Sequence, residues 1–76
     1  MLRISLPEVK AEDLQGHKES IYGIVETHGL KEFVDGWGFD LRTNTLEVFI
    51  VLEGICMDAQ VIRDLSTYDT RIHFSW

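Results

Sequence analysis

Three histidines and one cysteine are the side chains best suited to chemistry in this chain: His17, His28, His73 and Cys56. Their spacing matches no zinc-binding pattern. On one helix, His17 and His28 would lie roughly 16 Å apart, which is too far to share an ion. No carboxylates show the spacing of a calcium-binding loop. The sequence therefore predicts neither a bound metal nor a cofactor.

Cys56 is the only candidate nucleophile with a plausible base. It precedes a predicted helix, whose N-terminus would favour the thiolate. A nucleophile also needs a base, and His73 on the last predicted strand is the only candidate. The chain has no glycine-rich phosphate loop and no Gly-x-Ser-x-Gly turn. We therefore expect a buried structural cysteine and no enzymatic activity.

Three glutamates recur every seven residues, at Glu12, Glu19 and Glu26. Seven residues advance a helix by nearly two turns, so these carboxylates should form one stripe with a spacing of roughly 10 Å. Such a stripe could imitate nucleic-acid phosphates and compete for a basic groove on another protein. The other interpretation is an ordinary solvated helix face, and Lys18 and Lys31 lie near enough to weaken the stripe.

The overall charge agrees with a protein partner rather than a nucleic-acid partner. Thirteen acidic and seven basic residues give a net charge of −6. Phosphates and anionic lipids repel such a chain, so direct binding to nucleic acid or to a membrane is disfavoured. A basic protein, by contrast, is attracted.

Length and segment composition predict one small domain over 1–76 in the cytoplasm. A single cysteine excludes an internal disulfide. The longest apolar run, 49–52, is too short to cross a bilayer. The first residues lack the apolar stretch of a secretory signal.

The first half of the chain predicts a strand followed by a helix. Alternating apolar residues predict a strand over 2–6, which Pro7 ends. Apolar residues at helical spacing predict a helix over 11–28, with Gly29 just beyond its end. A strand over 21–27 is the competing interpretation, because β-branched residues are frequent there.

A hairpin is the most definite prediction in the middle of the chain. Residues 30–34 first predict one more helical turn, ended by Gly36. Alternating runs over 37–41 and 46–52 then predict two strands, joined by a tight turn in which Asn44 can take a positive φ.

The last third predicts a second helix and a final strand. The helix should begin at Asp58 and reach Tyr68, and the strand should cover 72–76. The order βαββαβ resembles the ferredoxin-like arrangement. We therefore expect an α+β two-layer sandwich in which a four-stranded antiparallel sheet carries two helices on one face.

Three apolar side chains are candidates for contact with a partner. Phe49 and Val51 should point to the sheet face that this fold leaves open, which suggests cover by a partner or a second copy. An RNA-binding face is disfavoured, because Glu47 flanks Phe49 and no basic-Gly-aromatic run surrounds it. Trp76 could be an interface anchor, but packing is favoured for it, as it is for Trp37.

These observations predict a small acidic inhibitor that docks on a basic, nucleic-acid-handling protein. In size and charge the chain resembles phage counter-defence proteins of the anti-CRISPR type and nuclease immunity proteins. Glu12, Glu19 and Glu26 would supply the charge, and Phe49 or Trp76 the apolar anchor.

Two alternatives remain. The first is a homo-oligomeric module that pairs through its open sheet face. The second is an acylphosphatase-like enzyme, which shares the order of elements. It is disfavoured because residues 7–12, after the first strand, contain neither the arginine nor a glycine for a phosphate-binding loop.

Overall fold

The computed structural model describes residues 1–51 and 59–76. Its elements are, in order, β1 (Leu2–Leu6), a 3₁₀ turn (Ala11–Asp13), α1 (Leu14–Thr27), a second 3₁₀ turn (Lys31–Phe33), β2 (Val34–Asp40), β3 (Thr45–Ile50), α2 (Ala59–Tyr68) and β4 (His73–Ser75). The strands form one antiparallel sheet in the order β2-β3-β1-β4. This confirms the expected α+β, ferredoxin-like arrangement.

One apolar layer joins the helices to one face of the sheet. Alternation along β1 and β3 places every second side chain in this layer, and each helix contributes residues one turn apart. The buried members from these four elements are Leu2, Ile4, Leu6, Leu46, Val48, Ile50, Ile21, Val25, Val61 and Leu65. No helix of residues 1–51 and 59–76 lies on the opposite face of the sheet.

Residues 21–27 are helical, which settles the choice between helix and strand. Ile21 and Val25 are both buried, whereas Gly23 between them is exposed. A strand face would bury position 23 together with 21 and 25, whereas a helix stripe leaves position 23 exposed. Gly29 takes φ +73° beyond the helix end, where its N–H donates to Glu26 O at 2.9 Å.

The predicted helical turn over 30–34 is partly wrong, because Val34 already belongs to β2. The 3₁₀ turn ends at Phe33, whose carbonyl accepts the N–H of Val51 at 2.8 Å and so directs the chain into the sheet. Gly36 lies inside β2 next to a register shift and ends no element. Asn44 takes φ 54° in the hairpin turn, as expected.

Two further boundaries, those of β2 and the last strand, differ from expectation. Leu41 lies in the hairpin turn and is 81% exposed, so β2 ends one residue early. The last strand covers only His73–Ser75. The predictions for Leu52, Cys56 and Asp58 fall outside the described residues.

The two tryptophans behave differently. Trp37 is partly buried against the core, and its ring lies 6.0 Å from that of Tyr22, so packing is confirmed for it. Packing of Trp76 is wrong, because this side chain is 75% exposed. Ser75 is the last residue of β4 and pairs with Arg3, so Trp76 lies beyond the paired part of this edge strand.

Phe49 has a structural role on the open face. It pairs with Gly36 of the edge strand, and its ring lies 3.8 Å from where a Cβ on Gly38 would sit. The ring therefore covers a stretch of β2 that has no side chains of its own on this face. Phe49 is therefore already partly buried in the isolated chain.

Replacing Phe49 with alanine should destabilise the isolated chain by about 1–2 kcal/mol, because the ring's contact with β2 is lost. Urea unfolding measures the change. Leu41→Ala is the control and should stay within about 0.5 kcal/mol, because Leu41 is exposed. Equal stability of Phe49→Ala and the parent chain would contradict this role.

Candidate functional site

The candidate site is the groove between α1 and the edge strand β2. Trp37 and Phe39 pair with Val48 and Leu46, so they point to the helix-covered face of the sheet. No strand lies beyond β2 in the described part of the chain. The two aromatic side chains consequently form the floor of a groove whose far wall is α1.

Two adjoining cavities lie along this groove. One has a volume of about 220 Å³ and the other of about 340 Å³, and the lining of both is mainly apolar. Both are bounded by Gln15, Lys18 and Trp37, the first in addition by Leu14, Gly38, Phe39 and Leu46, the second by Glu19 and Tyr22. The groove could hold neighbouring side chains of a bound segment.

The two lysines at the groove are held by its own aromatic rings. The Lys18 ammonium lies 5.3 Å from the centroid of the Trp37 ring, and that of Lys31 lies 5.8 Å from the centroid of Tyr22. Lys31 also lies 3.8 Å from a carboxylate oxygen of Glu26. Both positive charges are therefore engaged within the chain.

Four exposed carboxylates lie on the elements beside the groove and form its acidic rim, and Glu19 is the one that borders a cavity. On α1, Glu19 and Glu26 are exposed and seven residues apart, and Glu19 accepts a hydrogen bond from the Gln15 amide at 3.2 Å. Glu32 in the second 3₁₀ turn and Asp35 near the start of β2 are also exposed. Only Glu26 of these four has a cationic partner among residues 1–51 and 59–76. The rim of the groove is thus negatively charged.

The structure keeps only part of the predicted glutamate stripe together. Glu12 lies in the 3₁₀ turn before α1, which winds at three residues per turn and breaks the helical phase. It borders a cavity beside His17 and Tyr68, on the α2 side. Glu19 borders the groove on the β2 side.

The predicted apolar contacts lie elsewhere. Phe49 is on the open face, and Val51 follows β3, where its N–H bonds to Phe33. Trp76 follows β4, at the opposite edge of the sheet from β2. These three side chains and the glutamates do not form one continuous surface.

Sequence reasoning missed Asp35 and the role of Tyr22 in the groove. A carboxylate beside a glycine within an apolar run was an available signal for an exposed bulge in an edge strand. Nothing in the spacing of Tyr22 and Trp37 showed that their rings would meet, because that contact depends on how α1 crosses β2.

Histidines join the two helices at both ends of their contact. The Nδ1 of His17 lies 2.6 Å from the Tyr68 hydroxyl, and the Nε2 of His28 lies 2.7 Å from an Asp64 carboxylate oxygen. A cavity of about 560 Å³ lies between the helices and is bordered by His28, Asp64 and Tyr68.

The two histidine contacts join α1 to α2. An Asp-His pair can act as a general base when the histidine also meets a nucleophile. His28 has no hydrogen bond to a hydroxyl or thiol in the described part of the chain. Within the same residues, no three His, Cys, Asp or Glu side chains are grouped to hold a metal ion.

No helix within the described residues is long and apolar enough to cross a membrane. Comparisons of the chain with protein-family models, curated proteins and solved structures find no match.

An ion pair between Asp69 and Arg71 fixes the turn between α2 and β4. Asp69 accepts hydrogen bonds from the backbone N–H of Arg71 at 2.9 Å and from its Nε and Nη2 at 3.0 and 2.8 Å. The Arg71 Nη1 also donates to the Glu8 carbonyl at 3.2 Å, across 63 residues of chain. The side-chain bond to Arg71 holds the pKa of Asp69 below its ordinary value of 3.8.

Asp69→Asn should lower the urea midpoint at pH 7, because the charged pair is lost. A depressed folded-state pKa contributes stability above the unfolded-state pKa of about 3.9, and this contribution is lost as the pH falls through the lower folded value. The difference in urea midpoint between the parent chain and the variant should therefore become smaller from pH 7 to pH 2.5. A difference that is constant over this range would contradict the assignment.

Proposed function

We propose that this chain is a non-enzymatic acidic protein that binds a basic, nucleic-acid-handling protein and inhibits it. The observation that carries this proposal is the carboxylate rim of the α1–β2 groove. Glu19, Glu26, Glu32 and Asp35 are exposed there, while the nearest lysines are engaged with the chain's own rings and with Glu26.

The physical mechanism is competition by charge. A surface that binds phosphates is lined by arginine and lysine, and fixed carboxylates attract the same side chains. A net charge of −6 adds long-range attraction that speeds encounter. Glu12 contributes to this field from the 3₁₀ turn before α1, and Trp76 offers an exposed apolar contact at the other sheet edge.

We place such an inhibitor in the cytoplasm, and its setting would be phage counter-defence or immunity to a nuclease. The support is generic and consists of small size, acidic charge and an exposed acidic rim. The alternative of a homo-oligomer paired through Phe49 and Val51 has less support. The Phe49 ring is partly buried against Gly38, which reduces the apolar surface that the open face offers to a second copy.

The test begins with affinity capture from cells of the native host at low and high salt. Each captured protein is purified, and its binding to labelled DNA or RNA is measured by fluorescence anisotropy while the chain is titrated in. The proposal predicts that a captured protein releases its nucleic acid and that release weakens at high salt, because screening reduces the attraction. If none of the captured proteins releases its nucleic acid at any concentration of the added chain, the proposal is contradicted.

Glu19→Gln combined with Glu26→Gln should raise the concentration needed for half-release by about tenfold at low salt. The change removes two rim charges and frees Lys31 from its pairing with Glu26. The matched control is Glu8→Gln with Glu47→Gln, which removes the same two charges away from the groove. If both double variants raise the half-release concentration equally, only net charge matters, and a role for the rim is contradicted.

A further inference from the structure

The outer edge of β2 is the longer of the two free edges in the described part of the sheet. β2 has seven residues, whereas β4 at the other edge has three. The outer side of an edge strand presents N–H and C=O groups that another strand can bond. On β2 this edge is interrupted only by the register shift between Val34 and Gly36, where Asp35 is exposed.

The groove beside this edge suits the side chains of an added strand. Every second side chain of such a strand would point toward α1, with neighbouring ones about 7 Å apart. The two cavities adjoin each other and share Lys18 and Trp37. The cavity bordered by Leu14, Phe39 and Leu46 fits an aliphatic side chain. The cavity bordered by Glu19 and Tyr22 fits the apolar stem of a long basic side chain, whose cationic end both a carboxylate and a ring attract.

The charges along the edge select the occupant. Glu32 immediately precedes β2, Asp35 lies near its start and Glu19 lies on α1, all without an ionic partner in the part of the chain that the structure describes. A basic segment is attracted by this arrangement, and an acidic one is repelled. A second copy pairing β2 with β2 would bring its own Glu32 and Asp35 to the same edge, where like charges oppose pairing.

We infer that the β2 edge accepts an extended basic segment of the partner as a fifth strand, with apolar and cationic side chains toward α1. This inference rests on the proposed function, to which it adds the element that makes contact. Backbone bonds along β2 would give affinity, and the two cavities would give specificity.

The probe is a synthetic nine-residue peptide of alternating valine and arginine, titrated into the ¹⁵N-labelled chain at low salt. Shift changes and exchange protection should concentrate in the amides of 34–40 and in the Trp37 indole N–H. One control peptide carries glutamate in place of arginine. A second keeps its charge but has alternate backbone nitrogens methylated, which removes donors. Both controls should bind at least about tenfold more weakly.

Charge reversal in the chain provides the second arm. Glu32→Lys with Asp35→Lys should weaken peptide binding at least about tenfold at low salt. Glu8→Lys with Asp13→Lys is the control of equal charge away from β2, and it should retain most of the affinity. All four residues are exposed, so the variants should remain folded.

Each contrary outcome identifies what fails. Shifts centred on another surface, or equal binding of the methylated peptide, would overturn the fifth-strand inference. Self-association of the free chain through β2, detected by sedimentation, would overturn it as well. Inhibition of a captured protein that survives reversal of Glu32 and Asp35 would overturn the inference and leave the proposed function intact. Peptide binding at β2 without any inhibited partner would overturn the proposed function alone.

Discussion

The apolar layer between one sheet face and two helices determines which parts of the protein remain exposed. A chain of 76 residues buries a smaller share of its surface than larger domains do, and here the core is formed from one side of β1 and β3 with single stripes of α1 and α2. Once those stripes are buried, the other sheet face and both sheet edges remain outside the layer. We therefore propose the functional surface at an edge of the sheet, which this layer does not cover.

Sequence patterns predicted the parts of the fold that depend on local periodicity. The alternation in β1 and β3, and the spacing of Ile21 and Val25, identify strand and helix because the buried face alone decides these patterns. The start of β2 at Val34 was missed, because it depends on a bond between Phe33 and Val51 that no local pattern contains. Packing was expected for Trp76 and is wrong, because the edge strand β4 ends at Ser75 and Trp76 lies beyond its paired part.

The candidate site was predictable only in its charges. Glu19 and Glu26 could be placed on one stripe from their spacing, whereas Glu12 was separated from it by a 3₁₀ turn. The groove itself depends on long-range packing, in which α1 crosses the edge strand and sets Tyr22 beside Trp37. The same packing holds the lysines over aromatic rings, while the carboxylates of the rim remain exposed.

Hydrogen–deuterium exchange of the chain, free and bound to its captured partner, tests the central claim most directly. If the acidic groove and the β2 edge form the contact, peptides covering 34–40 and the β2-facing side of α1 should gain the strongest protection on binding. Protection concentrated instead on β4 and Trp76, or on the open face around Phe49, would contradict the account.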